Sequence, residues 1–367
     1  MEKISKSFSH IAVLVAGGIG DGLMFTPALR LLKETYPHLK IDVICRKAGV
    51  KGIFENNPLV NQVSSLEISD VSIWKLVKQV PFVLKQIFSL RKKVYDAVVV
   101  SFPAYRREYS VLAFLLKSSF RIGHRYRNGF FSQFHWLYHH QEWVDESQHN
   151  VINNLNLLRV LGIDWQTKKN VQSLCYDLFL SNESSQKAEL LLKNEPEKKW
   201  IGLHPGSTGS PIALMKRWPT ERWCELTQKL VNQNYAVWIF GGKGEEDIAR
   251  TIQSSVKGSV YSSAQLSFNQ AATLVTKMKL MITVDNGFGH VAAALNCPLI
   301  SLWGFTNPTW CRPWNPGKVK VIRKARWEPW FRYEFKTEAP KGLKSGMEEI
   351  TTEDVISAIQ DFMYNLE

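Results

Sequence analysis

Short apolar runs alternate with amphipathic stretches along the first part of the chain: IAVLV, then GLMFTPALRLLKETY, KIDVIC, a helical stretch ending at ENNP, and NQVSSL. A long basic stretch from Ser72 to Lys93 follows, and then DAVVVSF, REYSVLAFLLK and FRIGHR, reaching Arg125. Runs without a polar face suit strands buried on both sides, and the stretches between them have helical spacing. The pattern therefore predicts a parallel sheet covered by helices. A helix around His149 to Gly162 and a polar, lysine-rich helix and linker, SNESSQKAELLLKNEPEKK, interrupt the rhythm. It restarts at WIGLHPGS and passes through RWCELTQKLVNQ, YAVWIFGG, EEDIARTIQSSV, FNQAATLVTKM, LMITVDN, GHVAAALN and PLISLWG. Two doubly wound α/β units in tandem are expected, residues 1–185 and 186–348. Ligand loops of such units lie at the carboxyl ends of the strands, which makes a cleft between the units the natural place for a substrate. The final stretch, 349–367, has an acidic first turn and apolar spacing, and is expected to form an amphipathic helix that packs back toward the first unit.

Composition narrows the function classes. The chain has 367 residues, 45% hydrophobic and 22% charged, enough for two ordinary cores. Its five cysteines are scattered and never spaced as C-x-x-C, which argues against a disulfide framework or a zinc site and for a reducing compartment. The opening MEKISKSFSHIAVLVAGG imitates a signal peptide, but its apolar run meets Gly17, Gly18, Gly20 and Asp21 at once and reads as the first strand. No apolar stretch approaches the roughly 20 residues that span a bilayer, so membrane contact is expected to be peripheral. The net charge of +13 implies an anionic partner: nucleic acid, acidic lipid headgroups or a phosphorylated substrate.

Four clusters carry candidate chemistry. In IAVLVAGGIGDGLMFTPALRLLKE the dinucleotide spacing G-x-G-x-x-G fails, because Leu23 stands where the third glycine belongs. Asp21 beside a helix N-terminus would repel a pyrophosphate. It is better suited to accept a proton or hydrogen bonds from a hydroxyl, or simply to cap the helix that begins near Gly22. In LMITVDNGFGHVAAAL a strand ends at Asp285 and a glycine turn opens a helix whose N–H groups suit a phosphate or diphosphate, with His290 either an added donor or a core histidine. In HPGSTGSPIALMKRWP, hydroxyls and Lys216 make a second anion cradle at a strand end, Arg217 reads equally as a solvated loop residue, and Pro219 suits the first helical position. In FGGKGEED, Glu245 or Glu246 could hold the two hydroxyls of a ribose, or form an ordinary acidic first turn.

Together AGGIGDGLMFTPALRLLKETYP, HPGS…KRWP and DNGFGHVAAALNCPLISLWGFTNPTW, with HNVINNLNLLRVLGI between them, resemble the signature regions of the heptosyltransferase family, glycosyltransferase family nine. The resemblance implies the GT-B fold, two Rossmann-like units facing each other across a cleft. It also implies inverting, metal-independent transfer of heptose from ADP-heptose to the lipopolysaccharide inner core, with no cofactor beyond the donor. By position it makes Asp21 the base that deprotonates the acceptor hydroxyl. Ser207, Thr208, Lys216, Asn286, Gly287, Phe288, Gly289 and His290 become ligands of the donor diphosphate, and Glu245 and Asp285 ligands of the nucleotide. Three features depart from the family pattern: Asn286 replaces a threonine or serine, which should matter little if the backbone makes the contact; the loop from Ser207 to Lys216 is long; and Trp327 and Trp330 stand where many members have cysteines, so no cysteine-ligated metal is expected.

The positive charge concentrates in the first unit. Lys75, Lys78, Lys85, Arg91, Lys92 and Lys93 lie among Trp74, Phe82 and Phe88, in a segment that Pro81 should kink; Arg106, Arg107, Arg121, Arg125 and Arg127 follow. Such a segment can lie on an anionic membrane or grip a phosphorylated glycolipid, or be a helix with a solvated face. Nucleic acid is disfavoured by the lack of an aromatic-basic binding motif. The expected acceptor is an anionic lipid A-core glycolipid, bound through Lys75, Lys78, Arg106, Arg107 and Arg125 at the cytoplasmic face of an inner membrane. The rivals are a transferase of the same fold with another nucleotide sugar or acceptor, and a non-catalytic nucleotide-sugar-binding protein.

Overall fold

The computed structural model describes residues 8–46, 48–66, 73–127, 130–168, 174–192, 198–207, 210–258, 260–262, 266–326 and 341–364. The chain divides into two units, Met1–Phe179 and Leu180–Glu367, six residues before the boundary expected after 185.

The first unit runs β1 (His10–Val15), α1 (Ile19–Thr35), β2 (Lys40–Cys45), α2 (Ala48–Phe54), β3 (Gln62–Ser65), α3 (Ile73–Arg91), β4 (Ala97–Val100), α4 (Arg107–Leu115), β5 (Phe120–Arg125), β6 (His140–Trp143), α5 (Asn150–Asn156) and α6 (Trp165–Lys168). Its strands form one parallel sheet in the order β3-β2-β1-β4-β5-β6. β1 and β4 are apolar on both faces because each lies between two neighbours and under helices; Ile11, Val13, Leu14, Val98 and Val100 are fully buried.

α1 contains Pro27, which has no N–H to offer the Leu23 carbonyl one turn back. The Thr26 hydroxyl donates to that carbonyl instead, at 2.8 Å, so the helix continues through the proline. α3 likewise runs as one element through Pro81. Three of the four buried asparagines of HNVINNLNLLRVLGI are spent on structure: Asn154 accepts the Phe102 amide at 2.8 Å, Asn153 accepts the Asp145 amide at 2.9 Å, and Asn156 accepts the Trp165 indole N–H at 3.0 Å.

The second unit runs α7 (Asn182–Leu192), β7 (Trp200–His204), α8 (Pro211–Leu214), α9 (Thr220–Asn232), β8 (Ala236–Ile239), α10 (Glu246–Ser255), β9 (Val260–Ser262), α11 (Phe268–Val275), β10 (Leu280–Val284), α12 (Gly287–Ala294), β11 (Leu299–Leu302), α13 (Pro308–Cys311), β12 (Val319–Ile322) and α14 (Thr352–Tyr364). Its parallel sheet has the order β12-β11-β10-β7-β8-β9. In both units the third and fourth strands in sequence lie on opposite sides of the first. The resulting switch points fall between β1 and β4 and between β7 and β10, where open α/β sheets hold ligands.

α14, expected to return to the first unit, has its apolar face taken by the second: Val355, Ala358 and Ile359 share a buried cluster with Trp218, Trp223 and Leu226 of the α9 region. The segment before it is tied to the loop that precedes α9. Ser345 Oγ donates to the Met215 carbonyl at 2.7 Å, the Trp218 indole donates to the Ile350 carbonyl at 2.9 Å, and Arg222 also donates to Ile350. Gly304 allows this crossing, since a Cβ there would lie 2.1 Å from the Ser345 carbonyl oxygen.

Candidate active site

Asp21 occupies the third position of α1, just past the switch point of the first sheet, and its Oδ2 accepts the Gly18 amide at 2.7 Å. Gly17 makes room for that bend, because a Cβ at residue 17 would stand 2.0 Å from the same oxygen. The helix starts three residues before the expected Gly22, with Gly18 as its N-cap, so Asp21 serves the cap from inside the first turn, and its carboxylate is fixed at the carboxyl end of β1. Beside it Tyr109 donates to the Ala16 carbonyl at 3.0 Å. Burial pushes the Tyr109 hydroxyl pKa up, while the charges of Arg46 and Arg106 oppose the shift and those of Glu108 and Asp21 add to it. Arg46 and Tyr109 were not singled out from the sequence; one follows β2 and the other lies in the first turn of α4, more than 60 residues later, so only the sheet order brings Arg46 and Asp21 to bear on the same hydroxyl.

At the second switch point, Asp285 follows β10 and is buried, with Lys216 Nζ at 2.7 Å and the Thr306 hydroxyl at 2.8 Å from its Oδ2. The expected nucleotide ligand and the expected diphosphate lysine therefore form one ion pair. Thr306 is the member that sequence reasoning missed; its only signal was a place in GFTNPTW, and its distance from Asp285 along the chain hid the bond.

Asn286 is the N-cap of α12, and its side chain does more than was expected. Its Oδ1 accepts the amides of Phe288 and Gly289 at 3.0 and 3.2 Å, and its Nδ2 donates to the Gly206 carbonyl at 2.8 Å and meets His204 Nδ1 at 2.9 Å. Two of the amides assigned to a diphosphate are thus occupied, because asparagine is among the strongest N-caps. The identity of residue 286 matters after all. Phe288 packs its ring against His204 and Phe240, with centroids 5.0 and 5.2 Å away, and a Cβ on Gly289 would meet Thr283 Oγ1 at 2.9 Å; both residues serve packing.

His290 is buried and its pKa is lowered to about 4, by burial first and by the Lys216 charge second, against the pull of Asp285 and a bond to the Cys311 backbone. It is a neutral ring at the edge of the ion pair. His204 is held neutral in the same way by burial. Its Nδ1 meets the Asn286 amide and its Nε2 lies 3.9 Å from Glu245 Oε2.

Glu245 lies directly beneath Gly206, where a Cβ would come within 2.2 Å of its carboxyl carbon, and its Oε2 accepts the Gly242 amide at 2.8 Å. Glu246 instead accepts the Gly244 amide at 2.7 Å, so of the two acids Glu245 is the one brought to the β7 loop. Ser207 is buried there, and its carbonyl accepts Arg217 Nε at 3.0 Å, which takes Arg217 out of the class of solvated loop residues. Thr208, Trp327 and Trp330 lie outside the described residues.

The model of glycosyltransferase family 9 (heptosyltransferase) matches residues 83–339, more than half the chain. The protein belongs to this family. It is 25% identical to lipooligosaccharide heptosyltransferase 2 of Haemophilus influenzae over 86% of this chain and 88% of that one. The structure of Escherichia coli ADP-heptose lipopolysaccharide heptosyltransferase II superposes with a TM-score of 0.76 at 24% identity, covering 97% of this chain and 98% of the other. An E. coli heptosyltransferase bound to ADP-2-deoxy-2-fluoro heptose superposes with a TM-score of 0.68 at 20% identity, over 96% and 99%. The fold is therefore GT-B, and the protein is a glycosyltransferase.

The basic residues of this family 9 glycosyltransferase divide by what they touch. The side chains of Lys75 and Lys78 lie outside the described ones. Lys93 turns inward to Asp42, at 2.7 Å, and is a structural cation. Arg106 pairs with Glu108 at 2.5 Å, and Arg107 is exposed at the start of α4. Arg125 lies over the rings of Trp143 and Phe130, 4.6 and 5.3 Å from their centroids.

Proposed function

We propose that this glycosyltransferase transfers heptose from ADP-heptose to the inner core of a lipopolysaccharide glycolipid, with inversion, without a metal ion, and at the cytoplasmic face of an inner membrane. The observation that carries the reading is the Lys216–Asp285 pair at the switch point of the second sheet. A fixed ammonium at the carboxyl end of a central strand can take the charge that develops on a departing diphosphate, and Asp285 with Thr306 holds it there. The names of the relatives supply the sugar and the acceptor class.

In this mechanism Asp21 removes the proton of the acceptor hydroxyl as its oxygen bonds to the anomeric carbon. The bond from that carbon to the diphosphate breaks on the opposite face, and ADP departs with the electron pair. Ser207, Thr208 and the Gly287 turn contribute donors to the diphosphate, Glu245 holds the ribose, and Lys75, Lys78, Arg106 and Arg107 meet the acceptor's anionic groups. The second unit supplies the charge that a metal ion supplies in other transferases.

The test is ADP release from ADP-heptose with a heptose-deficient core acceptor, with the product's anomeric configuration read by NMR. ADP and ADP-heptose, in a thermal-shift panel with the UDP and GDP sugars, should stabilise the protein by about 2.7 kcal/mol at 100 times the dissociation constant. Release from a different nucleotide sugar alone would replace the donor. A rate abolished by EDTA and restored by magnesium would remove the role given to Lys216.

A further inference from the structure

Among the described residues every exposed phenylalanine and tryptophan belongs to the first unit, and most of them fall between residues 114 and 143. Phe131 is 77% exposed, Trp143 55%, Trp136 53% and Phe114 49%. Monomeric proteins rarely leave several large rings in water on one tract unless something covers them. Two ring contacts order the loop between them: Phe130 meets Phe131 at 5.1 Å and Phe134 meets Trp136 at 6.3 Å, while Gln133, between the two pairs, accepts the Arg107 amide at 2.9 Å and ties the loop to α4.

Arginines are interleaved with the rings. Arg125 lies over Trp143 and Phe130, and Arg121 lies 5.3 Å from the Phe114 centroid while its Nε donates to the Leu137 carbonyl at 2.7 Å. From residue 104 to 143 there are six Arg or Lys (106, 107, 117, 121, 125, 127) and two acids (108, 142). One acid pairs with Arg106 and the other with Arg159, so the excess positive charge of the tract is not cancelled within it.

We propose that this tract, from the end of α4 through the loop before β6 to Trp143, is the surface by which the protein sits on an anionic lipid bilayer. Rings with a polar edge or a stacked guanidinium suit the headgroup level of a membrane, where an apolar body and a charged donor are both satisfied. Phosphate oxygens of acidic lipids match the guanidinium fork. No described helix is long and apolar enough to cross a membrane. The proposal rests on the reading that the acceptor is a glycolipid, and it moves the main membrane contact from α3 to this tract. Phe82 and Phe88 of α3, also exposed, provide the comparison.

The test uses the full chain and vesicles of phosphatidylcholine containing about one-third phosphatidylglycerol, sedimented without any substrate. The triple variant Phe131→Ala, Trp136→Ala, Trp143→Ala should bind them about tenfold or more weakly, given the apolar area removed. Its melting temperature and its turnover on a delipidated, water-soluble core acceptor should match the parent. The pair Phe82→Ala, Phe88→Ala should keep vesicle binding, and vesicles of phosphatidylcholine alone should bind the parent more weakly. Wild-type binding by the triple variant, loss of binding only in the α3 pair, or a parent dimer that the triple variant converts to monomer in light scattering would each overturn the proposal, the last by giving the surface to a second copy. Because sedimentation needs no donor, failure of ADP-heptose as substrate would leave this result standing.

Discussion

After β1 the chain turns through Gly17 and Gly18, and Asp21 bends back onto its own turn to accept the Gly18 amide. After β10 the equivalent turn is capped by Asn286, which leaves Asp285 to hold Lys216 and Thr306. The two switch points thus use an acid differently. At the first, the carboxylate accepts a backbone amide of its own turn; at the second, it is a counterion that positions an ammonium. The difference follows from the caps: with glycine as N-cap the acid must serve α1 itself, whereas asparagine relieves Asp285 of that task.

Substituting Asp21 should have the largest effect and separates its two roles. Asp21→Asn keeps an oxygen for the Gly18 amide, so stability should hold while turnover falls by about 100- to 10,000-fold with donor affinity unchanged. Asp21→Ala should lose the same turnover and about 1 kcal/mol of stability besides. Full activity of Asp21→Asn in steady-state assays would reduce the residue to a cap.

Acid should strain both units through buried histidines, among them His124 in the first and His290 in the second. His124 and His290 are held at about 4, mainly by burial, against 6.5 for an ordinary ring. Unfolded chains therefore bind protons that the folded protein refuses as pH drops below 6.5, so stability is whole above that value and declines toward pH 4. The loss is on the order of 3 kcal/mol per ring. Denaturant titrations across this window check it: His124→Asn and His290→Asn should each flatten the decline, and a pH-independent midpoint in the parent would contradict the burial argument.

Lys216→Met should weaken ADP binding by about 10- to 100-fold and destabilise the second unit, because Asp285 stays buried with only part of its partnership. Adding Asp285→Asn should restore stability without restoring affinity. Recovery of both in calorimetry would mean that the pair is structural and the diphosphate binds elsewhere. The smallest effect is expected from Thr306→Val, which removes one hydrogen bond to Asp285 and about 1 kcal/mol of stability, with a few-fold change in ADP affinity.

The strand-helix rhythm, the two-unit division and the glycine turns were legible because each is written in consecutive residues. What stayed hidden depends on residues far apart in sequence. Lys93 looked like one more surface charge until the sheet placed Asp42 2.7 Å away. Arg125 was singled out for its charge alone, because nothing local shows that its register partner on β6 is Trp143 and that its guanidinium lies over that ring. Asn286 was read through its backbone because nothing local shows that the β7 loop brings the Gly206 carbonyl to its amide. Pro219, expected as the first helical residue, is the N-cap of α9, one place earlier.

The hydrogen bonds from Ser345 to Met215 and from Trp218 to Ile350 bracket Lys216 between two anchors on the segment that leads into α14. The C-terminal helix therefore cannot fray far without loosening the loop that carries the lysine. Its amides and that loop belong to one unit of local opening, in the sense measured by hydrogen exchange. If nucleotide binds at Lys216 as proposed, its addition should slow amide exchange in α14.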